Sequence, residues 1–116
     1  MKKKTPADAR RFVEMVATHQ GWELNPDKAF LADIVDGLAA NFNRYGYFLC
    51  PCRDGSGLRE HDKDIICPCD YNMRDQEEHG HCFCGLFLDA RFKASGKPVR
   101  QIPERRPEDL DTPPHE

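Results

Sequence analysis

Apolar positions recur at spacings of three and four through the first third of the chain, and the pattern changes character after Leu49. Ala9, Phe12, Val13 and Val16 form one stripe, which predicts an amphipathic helix over roughly Pro6 to Thr18. Thr5 suits its N-cap, Pro6 its first turn (where a missing N–H costs nothing), and Gly21 its left-handed end. A stronger stripe, Phe30, Leu31, Ile34, Val35, Leu38 and Phe42, predicts a core helix. Asn25 is read as its N-cap, with Pro26 at the first position and Asp27 in the first turn. Shorter helices are predicted from about Tyr71 to Glu78 and around Pro107 to Leu110. Leu86-Phe87-Leu88 reads as a buried run, Trp22 as a core or hinge residue, and Asp75-Gln76-Glu77-Glu78 as a solvated helix face. Pro98, Pro103, Pro107, Pro113 and Pro114 predict an extended, partly loose tail.

A chain of 116 residues suits a single domain. Its composition divides it into a helical cap over 5–49, a cysteine-bearing region over 50–92 and a proline- and charge-rich tail over 93–116. Such a domain buries only about two-thirds of its unfolded surface, so an internal cross-link or metal centre would stabilise it materially. The net charge of −3, with no basic stripe interleaved with aromatics, argues against nucleic acid as a partner. No apolar run approaches membrane-spanning length. Met1-Lys2-Lys3-Lys4 leads into charged residues rather than an apolar signal or transit segment, so a prokaryotic cytoplasmic location is expected.

In a reducing cytoplasm six cysteines point to metal binding or redox chemistry rather than structural disulfides. They fall into three one-residue-spaced pairs: Cys50-Pro51-Cys52, Cys67-Pro68-Cys69 and Cys82-Phe83-Cys84. Zinc knuckles usually place two to four residues between cysteines, to aim both sulfurs at one ion. A [4Fe–4S] cubane offers four separate corners to four thiolates, so neighbouring ligands can reach different irons. Four ligands leave two cysteines, the number a dithiol/disulfide couple needs. Counting does not decide which two. If the middle pair supplies two ligands and each outer pair one, the two free cysteines lie against the cluster. The expected fold class is therefore mainly α, a single small domain of short helices and loops around such a cluster.

The motifs resemble the catalytic chain of ferredoxin:thioredoxin reductase, a family marked by two Cys-Pro-Cys units, the first followed by arginine, and then Cys-His-Cys. Here the pattern reads Cys50-Pro51-Cys52-Arg53, Cys67-Pro68-Cys69 and Cys82-Phe83-Cys84. Tyr45-Gly46, Met73-Arg74 and Cys84-Gly85-Leu86-Phe87 also look like the family's segments, and the likeness covers roughly residues 10–105. The resemblance implies a [4Fe–4S] cluster held by Cys50, Cys67, Cys69 and Cys82. It implies an active-site disulfide between Cys52, the outward nucleophile, and Cys84, the cysteine that interacts with the cluster. It further implies a ferredoxin or similar electron donor, thioredoxin or a similar disulfide protein as acceptor, and room for a small second subunit.

Two features depart from the family. The spacings between the cysteine pairs differ, which implies changed loops. Phe83 stands where the family carries a histidine held to move protons. His81 is the catalytic candidate to replace it, with His79 as the other, and Phe83 is expected to shield the cluster. Arg53, adjacent to Cys52, is expected to favour that thiolate electrostatically. Two readings from other classes stand beside the reductase: a zinc-binding interaction module, and an iron–sulfur electron carrier with incidental spare cysteines.

Overall fold

The computed structural model describes residues 3–53 and 55–107. The predicted helix around Pro107 to Leu110 falls almost wholly outside them.

Helix α1 (Pro6–Gln20) starts on a capping box: Asp8 N–H donates to Thr5 Oγ1 at 3.2 Å and Thr5 N–H to Asp8 Oδ2 at 2.9 Å. Gly21 closes it in the left-handed region, as its position predicts. Helix α2 (Lys28–Tyr45) packs on α1, burying Leu31, Ile34, Val35, Leu38 and Ala39 with Ala9, Val13, Val16 and Ala17 of α1 in one core. Phe48 seals one end, its ring centroid 4.4 Å from that of Phe12 and 4.8 Å from that of Phe42.

The start of α2 corrects the sequence reading. Asp27, not Asn25, is its N-cap, accepting from Phe30 N–H at 3.1 Å. Asn25 is buried and spent on the cysteine region instead: its Nδ2 donates to Gly85 O at 2.9 Å and its backbone N–H to Leu86 O at 3.0 Å. A buried carbonyl without water is a stronger claim on that side chain than a helix end a neighbouring aspartate can serve.

Strand β1 (Glu23–Leu24) pairs antiparallel with β2 (Phe87–Leu88), with Glu23 opposite Leu88 and Leu24 opposite Phe87. Two residues per strand are too few to show alternation in sequence. The ladder nonetheless ties the helical cap to the segment after the last cysteine, where Leu86, Phe87 and Leu88 are buried as expected and Trp22 lies over Phe87. Three short helices complete the described fold: α3 (Arg59–Asp62), continued by a 3-10 turn over Lys63–Ile65, α4 (Asn72–His79) and α5 (Ala90–Ser95). Helix α4 matches its prediction within a residue at either end. No described helix is long and apolar enough to cross a membrane.

Residues 97–107 form no helix or strand but run as a strap across the cysteine region. Ile102 and Arg106 are buried. Arg105 pairs with Asp75 at 3.0 Å and Glu78 at 2.7 Å, and Arg106 with Asp64 at 2.8 Å. This corrects two expectations. The described part of the tail is tied down rather than loose, and Asp75 and Gln76 are buried rather than solvated. A charge run shows in sequence; the arginine that covers it, thirty residues beyond Asp75, does not.

Candidate metal-thiolate and disulfide site

Backbone pairing brings the three cysteine pairs together. Cys50 N–H donates to Ile65 O at 3.0 Å and Cys67 N–H to Phe48 O at 2.7 Å, which sets the first two Cys-Pro-Cys loops side by side. The Cys67–Pro68 peptide is cis. Cys82 N–H donates to Phe87 O at 3.0 Å, folding the third pair back under β2. Gly85 makes that turn at φ 77°, where a side chain would be strained and would press on Val99. Asn25 holds the Gly85 carbonyl from the far side.

The sulfurs divide between two spaces. Cys50, Cys67, Cys69, Cys82 and Cys84 line one cavity, together with Arg53, Asn72, Phe83, Leu86 and Phe87. Cys52, the one exposed cysteine, is absent from that lining. It opens on a neighbouring surface groove with Phe30, Phe83, Val99 and Arg100. Cys84 lines both spaces.

Cys84 is also the hub of the sulfur contacts. It lies within hydrogen-bond reach of Cys50, Cys52 and Cys82, and its Sγ is 3.8 Å from that of Cys82. Donation to these neighbours, reinforced by burial, raises Cys84 well above an ordinary thiol. Cys52 goes the other way, lowered chiefly because Cys50 and Cys84 donate to it. Burial raises Cys67, and it brings Cys69 up to about 11 despite an opposing arginine. Thiols that burial holds protonated are ones a metal must deprotonate to bind.

Arg53 favours the Cys52 thiolate, as the sequence suggests, but less than the neighbouring sulfurs do. Its closest sulfur contact is with another cysteine: Nη1 donates to Cys69 Sγ at 3.2 Å. Phe83 lies under it, ring centroid 4.4 Å from Cζ, while also lining the cavity.

His81 is fully buried beside Cys82. The Arg100 N–H donates to its Nε2 at 3.3 Å, which places the ring hydrogen on Nδ1, 2.7 Å from Cys82 O. Both ring nitrogens are thus engaged by backbone. His79 is half-buried, 3.7 Å from Glu78. Sequence reasoning missed Glu104, which grips Arg53, and Asn25 and Gly37 as supports of the cysteine loops. None carries a local signal, because each is defined by what it meets across the chain.

Comparison with known proteins fits this site. Over residues 1–105 the chain matches the family model described as ferredoxin thioredoxin reductase catalytic beta chain. It is 34% identical over 90 residues to the chloroplastic ferredoxin-thioredoxin reductase catalytic chain of Arabidopsis thaliana, covering 76% of this chain and 59% of that protein. It is 35% identical over 81 residues to the catalytic chain of Porphyra purpurea, covering 68% and 65%. With the catalytic chain of Synechocystis it shares 33% over 87 residues, covering 73% and 70%. The matches thus span less than two-thirds of the length of the Arabidopsis thaliana and Porphyra purpurea chains. A match along nearly the whole chain, carrying all three cysteine pairs, means that this protein belongs to the ferredoxin thioredoxin reductase catalytic beta chain family.

Proposed function

We propose that the protein reduces disulfides of thioredoxin or a related protein through a Cys52–Cys84 dithiol/disulfide pair set against a [4Fe–4S] cluster. Cys50, Cys67, Cys69 and Cys82 would hold the cluster, which when bound supplies electrons one at a time from a ferredoxin-like donor. The observation that carries the reading is the double placement of Cys84: it faces the cavity with the four ligand cysteines and the surface groove with Cys52. The donor set suits the group. Every one of these ligand cysteines lines one largely apolar cavity, which suits a centre that takes four thiolates. A relative's catalytic-chain name further supports a second subunit in the working enzyme.

The chain's own part is thiol–disulfide exchange. Cys52, exposed and lowered below an ordinary thiol by donation from Cys50 and Cys84, attacks one sulfur of the acceptor's disulfide. A Cys52–acceptor bond forms and the acceptor's other sulfur leaves as a thiolate that takes a proton from water. Cys84 then attacks Cys52. The Cys52–Cys84 bond forms, the second acceptor thiolate leaves, and the acceptor has gained two electrons and two protons. His81 keeps the Cys82 loop in place in this scheme, and Phe83 screens the cavity from the groove.

The test is anaerobic iron and sulfide analysis with alkylation mapping. About four of each per chain are expected, with Cys52 and Cys84 gaining reactivity on reduction and the other four protected. Cys52→Ser should keep its iron and lose turnover; full activity in that variant would sink the nucleophile assignment.

A further inference from the structure

We propose that Arg53 is a positioning residue for the cluster's electron chemistry, holding a positive charge and an N–H donor on the Cys69 sulfur so that the centre accepts an electron more readily. The inference rests on the cluster reading above and concerns a residue outside both the ligand set and the exchanging pair.

The geometry is that of a built clamp. The Arg53 side chain is 1% exposed, yet each end of its guanidinium is engaged. Nε and Nη2 make a two-pronged contact with Glu104, at 2.8 and 2.7 Å. That leaves Nη1 pointing inward, 3.2 Å from Cys69 Sγ. The planar group lies against Phe83 at 4.4 Å and Tyr71 at 5.4 Å, so it cannot swing out of the contact without leaving two ring faces. Burial works against the charged form, but Glu104 and the nearby sulfurs keep Arg53 charged.

A surface arginine neutralised by a carboxylate would need no such burial. Desolvating a guanidinium is costly unless each face and donor is matched. Here the donor left over is spent on the sulfur of a proposed ligand. When the centre gains an electron, negative charge grows on its sulfurs. A fixed cation and N–H there stabilise the reduced state more than the oxidised one. Phe83 takes on a second meaning in this light. At the position where the resemblance leads one to expect a histidine, this chain carries the shelf on which Arg53 rests. Glu104 lies in the strap, so the C-terminal segment reaches the cluster environment through one side chain.

The experiment is a redox titration of the iron-loaded protein, followed by its visible absorption, in Arg53→Met, Arg53→Gln and Arg53→Lys. Loss of a charge-assisted hydrogen bond predicts at least a tenfold drop in the reduced-to-oxidised ratio at fixed potential for Arg53→Met, a negative midpoint shift of about 59 mV or more for one electron. Arg53→Gln carries the same expectation at smaller size, and serves if the methionine variant does not load iron. Arg53→Lys, keeping the charge, should recover part of the shift. An iron-loaded methionine or glutamine variant with the parent midpoint overturns the proposal, as does a lysine variant shifted as far as methionine. A parent protein that binds no iron would instead sink the cluster reading itself.

Discussion

Gly37 and Pro51 meet where the helical cap touches the first cysteine loop. A Cβ built on Gly37 would stand 2.8 Å from Pro51 Cβ, closer than side-chain carbons approach one another. Gly37 sits within α2, where glycine costs about 1 kcal/mol against alanine. The helix accepts that cost so that the Cys50-Pro51-Cys52 turn can lie directly on its backbone. The Leu49 carbonyl just before the turn is held by Asn41 Nδ2 at 2.9 Å, from the next turn of the same helix.

Gly37→Ala should therefore destabilise despite its better helix propensity. The propensity gain of about 1 kcal/mol is set against an overpacking cost of about 1–3 kcal/mol, because a proline ring cannot rotate away. A melting point lowered by a few degrees is expected, together with a changed rate of Cys52 alkylation, since the loop must shift. A stabilised variant with unchanged Cys52 reactivity would show that the contact does not set the loop.

Asp62 organises the loop between the first two cysteine pairs and makes stability depend on pH. Its carboxylate accepts from Tyr47 Oη at 2.6 Å, Ser56 N at 3.0 Å, Ser56 Oγ at 3.1 Å and Gly57 N at 3.2 Å. Burial alone would raise its pKa, but these donors together outweigh burial and lower it below the ordinary 3.8. A depressed carboxylate contributes stability that is fully present above its unfolded pKa and lost as pH falls through the folded one. Asp62→Asn turns an amide N–H₂ toward donors and should cost about 1–3 kcal/mol near neutrality. Its melting point should fall below the parent's there, and the gap should close only below the ordinary aspartate value. A gap that persists unchanged into strong acid would mean that packing, not charge, makes the difference.

Arg106 anchors the strap, and its removal should release it. The side chain is 1% exposed, with Nε and Nη2 on Asp64 at 2.8 and 3.0 Å and Nη2 also on His61 O at 2.9 Å. Asp64 in turn accepts from Tyr71 Oη at 2.5 Å, so the contact reaches the base of α4. Truncating one partner of a buried pair typically costs about 3–5 kcal/mol, because the other charge is left without its counterpart. Arg106→Met should lower the melting point markedly and speed tryptic cleavage at Lys97 and Arg100. Equal cleavage rates in parent and variant would show that the strap is held elsewhere.

The sequence made the two long helices, the six-cysteine constellation and the buried Leu86-Phe87-Leu88 run legible, because each signal is local and periodic or spaced. What it hid was long-range. Asn25 carries every mark of a helix cap, and only the carbonyl of Gly85, sixty residues on, shows why it is used otherwise. Arg53 looked like the neighbour of Cys52. Its direction is set by Glu104, which no spacing rule links to it. Asp75 looked solvated until Arg105 covered it. In each case the missing information was a partner rather than a propensity.

His81 offers the sharpest separation between a proton-transfer and a positioning role. Adjacency to Cys82 makes it the sequence's natural proton donor in place of the residue at Phe83. In the fold its ring is enclosed, packed 5.3 Å from that of Phe92, and each nitrogen already has a backbone partner. Those contacts pin the Arg100 strap to the Cys82 loop, and they occupy both ring nitrogens. His81→Ala removes two hydrogen bonds and the buried ring between them, so a stability loss of about 2–4 kcal/mol is expected. Turnover under conditions where the variant stays folded should keep the parent's pH–rate shape, because protons reach the exposed Cys52 from water. The alternative outcome is equally clear. A variant that melts with the parent but loses one limb of the pH–rate profile would put His81 on the proton path.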